Sequence, residues 1–301
     1  MDLSVRLGRL QLKNPVLVAS GTFGYAKEMA GIVDLRRLGG ILPKTITKDP
    51  RPGNPPWRTV EVSAGLLNAI GLDNDGIDYF IENHWPYLKS TGADIIVSIA
   101  GKSQEDFVTL AERLAPLEPF AVELNVSCPN VTGGVDFGTD AGACYRVVSG
   151  VRKVLDAPIL TKLTPNVSSI ADVAKGAMEA GTDAVTCINT VLGMAIDWRK
   201  RRPMLANVVG GMSGPAIKPI ALRCVYQVAS KVKVPIVGVG GIANLDDAME
   251  FFVAGASAIQ IGTANYYDPT LSVRLIEELP KAILELGCHS VAECVGTLKT
   301  G

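Results

Sequence analysis

Residues 123–130 read ELNVSCPN, and four side chains in this stretch can do chemistry. Asn125 and Asn130 each offer a donor and an acceptor, Ser127 a hydroxyl, and Cys128 a thiol whose anion is both base and nucleophile. Pro129 stops a helix or strand from running on, so the thiol is expected in a turn at the end of a short apolar run. Such a cysteine is either a small apolar residue of no chemical consequence or the reagent of a site. Lys44, in ILPKT, and Lys162, in ILTKL, sit in apolar runs where an unpaired ammonium is costly, so each is expected to meet an anion or an electron-rich ligand. Asn68, Asn125 and Asn189 suit a planar ring that alternates N–H and C=O groups, because an amide side chain matches either edge.

Other reagents are scarce. The chain has two histidines. His84 lies in the helix-like YFIENHWPYLKS and His289 near the C-terminus, and both read as surface or core residues. No carboxylate is expected at the strand ends, which leaves Cys128 as the candidate base. A lysine in a barrel also suits a Schiff-base aldolase, which needs a lysine of lowered pKa and a proton shuttle beside it. A barrel that only binds or scaffolds would not need Lys44, Lys162 and Cys128 to converge.

The elements that must position these groups recur along the chain. Apolar, β-branched runs at 15–20, 39–45, 94–100, 121–127, 157–163, 184–190, 234–240 and 258–263 are bounded by turn residues, the pattern of parallel strands buried on both faces. Helix-like stretches follow them, such as SQEDFVTLAERLA, opened by Ser103 as N-cap. Eight such units predict a TIM (β/α)8 barrel, with the opening LSVRLGRLQL as a hairpin closing its bottom. The competing doubly wound sheet rests on GVGGIA at 238–243, but the acidic residue a dinucleotide fold wants about 20 positions on is missing. In a barrel, glycines after strands seven and eight commonly hold a phosphate. Long connections at 46–72, 128–137 and 191–213 follow the carboxyl ends of strands two, four and six and are expected to wall one pocket there. Those ends deliver Ser20, Lys44, Thr45, Ser98, Asn125, Lys162, Asn189 and Thr190.

Composition narrows the class. The 301 residues are 48% hydrophobic and 20% charged, with 29 basic and 30 acidic side chains and a net charge of −1, so no global field attracts nucleic acid or an anionic membrane. No signal peptide or membrane-length apolar run is evident, and a cytoplasmic protein is expected. Six cysteines without a C-x-x-C pair argue against zinc, an iron–sulfur cluster and a disulfide framework, so no metal is expected. The N-x-[ST] matches at Asn125, Asn130 and Asn166 would matter only in a secreted chain.

Taken together, SGTFGY, PKTIT, NPPWRTVEVSAGLLNAIGLDN, ELNVSCPN, TKLTPN, INT, GGMSGPAIKP, GVGGI and QIGTA closely resemble the catalytic subunit of the class 1B dihydroorotate dehydrogenases, over essentially the whole chain. The resemblance implies a single FMN-binding barrel domain, residues 1–301, that oxidises dihydroorotate to orotate in pyrimidine synthesis. It implies that Ser20, Lys44, Thr45, Asn125, Lys162, Ile188, Gly214, Gly240, Gly241, Gly262 and Thr263 contact FMN. Substrate would be held by Lys44, Asn68, Ala69, Ile70, Gly71, Leu72, Asn125, Asn189 and Thr190. Cys128 would be the catalytic base and Lys162 would face the charge of the reduced flavin. Ser98 falls where some relatives carry asparagine and stays outside the set. A dihydropyrimidine dehydrogenase-like flavin domain shares the cysteine loop and the barrel, but in a much longer chain. Electrons would pass to NAD+ through an FAD- and iron–sulfur-containing subunit bound to a homodimer, making a heterotetramer. A thiol of ordinary pKa, about 8.5, predicts activity rising toward alkaline pH unless the pocket lowers that value.

Overall fold

Short runs in which nearly every residue is buried form the central sheet. A computed structural model describes residues 1–127 and 137–300. Its eight parallel strands are β1 (Val16–Val18), β2 (Gly40–Ile41), β3 (Ile96–Ile99), β4 (Ala121–Asn125), β5 (Ile159–Leu163), β6 (Ala184–Cys187), β7 (Ile236–Val239) and β8 (Ala258–Ile261). They are ordered β2-β1-β8-β7-β6-β5-β4-β3. The ends of that row meet: Ile41 N donates to Asp94 O at 2.8 Å, Ile46 N to Ser98 O at 2.9 Å and Ala100 N to Ile46 O at 3.0 Å. The sheet therefore closes on itself, as a (β/α)8 barrel and not a doubly wound sheet. Closure leaves no edge, and burial on both faces is why the strands are mostly apolar, with a few buried polar residues such as Glu123, Lys162 and Gln260.

Helices cover the outside, each placed by local sequence. Ser103 Oγ accepts from Asp106 N (3.2 Å) to cap Gln104–Leu114, whose Phe107, Leu110, Ala111 and Leu114 are buried. Asp140 caps Ala141–Arg152 in the same way, through Ala143 N. One expected unit differs: β1 is followed by turns and a single 3₁₀ turn, Leu35–Arg37, and not by an α-helix. That segment is crowded with glycine (Gly21, Gly24, Gly31) and lacks a sustained helical period.

At the bottom, the hairpin of Val5–Leu7 and Leu10–Leu12 buries Leu7, Leu10 and Leu12. It is tied down by Asp183, just before β6, which accepts from Arg9 N (3.0 Å), Arg9 Nε (3.1 Å) and Ile159 N (2.8 Å).

At the top, the insertions after β2 and β6 form one antiparallel sheet. Thr59–Val62 pairs with Gly65–Asn68, which pairs with Val209–Ser213, which pairs with Val191–Met194. The two longest connections, over a hundred residues apart in sequence, thus become one wall. The third long connection, 128–137, lies outside the described residues except for Phe137.

Candidate active site

The wall and the strand ends enclose a cavity of about 980 Å³. Around it stand Ser20, Lys44, Thr45, the run Asn68 to Leu72, Asn125, Lys162, Ile188, Asn189, Thr190, Gly214, Gly240, Gly241, Gly262 and Thr263. Every residue of the FMN and substrate sets stands there, and Cys128 lies outside the described residues.

The strand runs expected from sequence extend past the observed strands at their carboxyl ends. Ser20 lies beyond Val18, Asn189 and Thr190 beyond Cys187, and Thr263 beyond Ile261. Beyond the regular strand ends, these residues line the cavity.

Three neighbourhoods divide the cavity lining. In the first, Ser20 Oγ, Thr45 Oγ1 and Ser98 Oγ form a hydrogen-bonded row, 2.6 and 2.9 Å apart. Ser98 is fully buried behind it and does not reach the cavity. Lys44 stands beside this row. Burial pushes its ammonium below the ordinary lysine value, against an opposing pull from Asp73.

In the second, amides converge. Asn125 Oδ1 accepts from Ser127 Oγ at 2.9 Å and from Asn189 Nδ2 at 3.3 Å, while Asn189 Nδ2 also donates to Ser127 Oγ at 2.5 Å. Asn189 Oδ1 accepts from Thr190 N (2.9 Å), and Asn166 Nδ2 donates to Thr190 O (3.0 Å). Asn125 is level with Lys162 across the β4–β5 pairing. These bonds fix each amide's orientation and so fix which edge it presents to a ring.

The third is a glycine cradle. Gly241 has φ +79°, and a Cβ there would fall 2.8 Å from Lys218 N and 3.0 Å from Gly214 O. The β7 turn thus packs so closely on Gly214 and the start of the Lys218 helix that position 241 has no room for a side chain. Thr263 Oγ1 donates to Ser213 Oγ (2.7 Å), joining the turn after β8 to the same corner.

Ser127, a hydroxyl of ELNVSCPN, and Asn166, in TKLTPN, line the cavity as well. Glu123 corrects the expectation that no carboxylate approaches the strand ends: fully buried in β4, its Oε1 lies 4.0 Å from Lys162 Nζ. Its signal was the one that singled out the lysines, a charge inside an apolar run. None of the described cysteines lines the cavity. Cys144, Cys187 and Cys224 are buried, and burial pushes the Cys144 thiol up to about 12. His84 stacks on Tyr25 with ring centroids 3.6 Å apart and does not line the cavity. Among the described residues, no group of three or more metal-ligating side chains occurs and no helix is long and apolar enough to cross a membrane.

A sequence profile described as dihydroorotate dehydrogenase matches residues 2–283. Among curated relatives, a protein of Bacteroides thetaiotaomicron named dihydroorotate dehydrogenase B (NAD(+)), catalytic subunit, is 49% identical over 300 residues, covering 99% of both chains. Proteins of the same name from Geotalea uraniireducens and Geobacter sulfurreducens are also 49% identical, covering 99% of this chain and 99% and 98% of their own.

Proposed function

We propose that this chain, which belongs to the dihydroorotate dehydrogenase family, is the catalytic subunit of an NAD+-linked enzyme that oxidises dihydroorotate to orotate in pyrimidine synthesis. The observation that carries the reading is one cavity lined by two lysines, a cluster of mutually bonded amides and a glycine cradle.

The residues fit FMN as the resident cofactor. Bare backbone at Gly214, Gly240, Gly241 and Gly262, with Thr263 and Ser213 hydroxyls beside it, suits a phosphate. Ile188, Val239 and Ala19 offer apolar surface for a ring system, and about 980 Å³ is near the upper end of small-ligand pockets. FMN, when bound, supplies the two-electron acceptor for hydride.

The reaction removes a proton and a hydride from adjacent ring carbons. In this reading Cys128 takes the proton beside the carbonyl; Ser127, the residue it follows, lines the cavity. Asn125, Asn189 and Thr190, with Asn68 across the wall, hold the alternating N–H and C=O edges of dihydroorotate, and the run from Ala69 to Leu72 closes on its apolar side. Lys44 pairs with the ligand's negative charge. Lys162 puts a positive charge into a partly desolvated site, which favours a ligand that gains electrons.

The words "catalytic subunit" in the relatives' names speak of a second subunit in those proteins. For this chain we take the partner to be an FAD- and iron–sulfur-containing electron-transfer subunit, bound to a homodimer of single-domain barrels in the cytoplasm. The sequence holds no dinucleotide fingerprint of its own and no cluster-binding cysteine spacing.

The test has two parts. The chromophore of freshly purified protein is released by heat and identified; FMN is expected, and FAD or no flavin overturns the reading. Dihydroorotate oxidation is then assayed with NAD+, with the isolated chain and after adding the partner. Turnover is expected only with the partner. Full NAD+-linked turnover without it refutes the subunit assignment, and rapid turnover with fumarate alone moves the chain to the class that uses that acceptor.

A further inference from the structure

Glu123 is the least solvated carboxylate near the cavity, with no exposed surface. Its Oε2 accepts from Gln260 Nε2 at 2.8 Å and from Thr186 Oγ1 at 3.0 Å. Its Oε1 accepts no hydrogen bond among the described residues and faces Lys162 Nζ at 4.0 Å. Both hydrogen-bonding neighbours donate to the carboxyl group, and the third neighbour is the amine of Lys162. Among the described residues, Glu123 contacts titratable Lys162 on β5 and uncharged Thr186 on β6 and Gln260 on β8, and it lies level with uncharged Ser98 on β3. Lys162 is itself buried, at 7% exposure, yet lines the cavity. At 4.0 Å the pair is Coulombic and not a hydrogen bond, so the ammonium's donors stay available to a ligand.

We infer that Glu123 is a positioning residue for Lys162, a fixed counter-charge beneath the cavity floor that keeps the ammonium charged and aimed at the ligand. Thr186 and Gln260 hold the carboxylate from the far side, so it cannot swing up to neutralise the lysine by direct contact. The arrangement places a counter-charge beside the lysine without consuming its hydrogen-bonding capacity. That the ligand is a flavin rests on the function proposed above; the charge coupling does not.

The test reads the pair without cofactor. In flavin-free protein carrying 13C-labelled lysine, the Lys162 resonance, assigned by its loss in Lys162→Met, is titrated by NMR in wild type and in Glu123→Gln. The isostere keeps an oxygen for Thr186 and Gln260 but removes the charge. The Lys162 midpoint is expected to fall by about one pH unit or more, a tenfold loss of proton affinity. An unchanged midpoint overturns the inference. Should Glu123→Gln not fold, reciprocity supplies the second measurement: in Lys162→Met the labelled Glu123 carboxyl should titrate higher by a similar amount, and an unmoved carboxyl overturns the inference equally. In FMN-loaded Glu123→Gln, flavin reduction by dihydroorotate is expected to slow about tenfold or more at unchanged KM, with its alkaline limb moved down in pH by the NMR shift and partly restored in Glu123→Asp. Slower reduction without an NMR shift would mark Glu123 as merely structural and overturn the inference. A measured coupling in a chain that takes up no FMN sinks the flavin reading and leaves the pair standing.

Discussion

Asn68 and Gly211 lie opposite one another in the antiparallel pairing that joins the two insertions, and Asn68 Nδ2 donates to Gly211 O at 3.3 Å. A cavity-lining amide after β2 is therefore set by backbone that arrives after β6.

Gly211 should be sensitive for a second reason. A Cβ there would fall 2.6 Å from Thr190 Cβ and press on Thr190 Oγ1. Gly211→Ala is expected to displace Thr190 and the Asn68 partner carbonyl together. Overpacking of this kind costs about 1–3 kcal/mol. The expected result is a rise of roughly tenfold in KM for dihydroorotate, at about 1.4 kcal/mol per decade, with the melting temperature lowered by a few degrees. Unaltered KM would remove Thr190 from the substrate site.

Cys128→Ser is expected to keep the flavin and to slow its reduction by a factor on the order of 10²–10⁴, the usual worth of a general base. A serine hydroxyl holds its proton far more tightly than a thiol, so residual activity should grow with pH. Cys144→Ser, Cys187→Ser and Cys224→Ser serve as controls: those thiols are buried and their pKa values are pushed up by burial. Stopped-flow reduction at neutral pH that is unchanged in Cys128→Ser would exclude the thiol from the reaction.

Lys44 opposes stability and function. Its folded-state pKa lies below the ordinary 10.5 because of burial, so the unfolded chain binds the proton more tightly and wild-type stability rises as pH climbs from the lowered value to 10.5. Lys44→Met should remove that rise and leave the flavin-free protein at least as stable at pH 7, while ligand binding falls by an order of magnitude or more, roughly the worth of one charge-assisted contact. Melting curves from pH 7 to 10 on wild type and variant check the sign; a variant that is less stable across that range contradicts it.

Asp183 makes the opposite prediction at the other end of the barrel. Burial alone would raise its pKa, but the Arg9 guanidinium and the backbone N–H groups of Ile159 and Arg9 outweigh it, and the net value lies below the ordinary 3.8. Its contribution is fully present above the unfolded value and is lost as pH falls from there through the lowered folded value. Asp183→Asn should cost about 1–3 kcal/mol at neutral pH and make stability less dependent on pH below about 4. Turnover per folded molecule should not change, since the residue lies at the bottom of the barrel. Lost activity at full folding would refute that separation.

The amino-acid sequence by itself determined where the eight barrel strands lie and which polar groups follow them. A strand buried on both faces must be apolar along its length, a purely local property, so Val16–Val18 or Ile159–Leu163 can be read from composition, and Lys44 and Lys162 stand out as charges that break the pattern. The N-cap Ser103 and the turn glycines 240 and 241 are local in the same sense. Only the tertiary structure decided that Gly65–Asn68 pairs with Val209–Ser213, that Asn189 bonds Asn125 and Ser127, and that Glu123 sits beneath Lys162 with Gln260 and Thr186 behind it. These partners lie 39 to 147 positions apart, as Lys162 from Glu123 and Leu66 from Ser213 show. No local propensity encodes which of them meet, because that depends on the register in which eight strands close into a barrel and on which connections then come to share one open end.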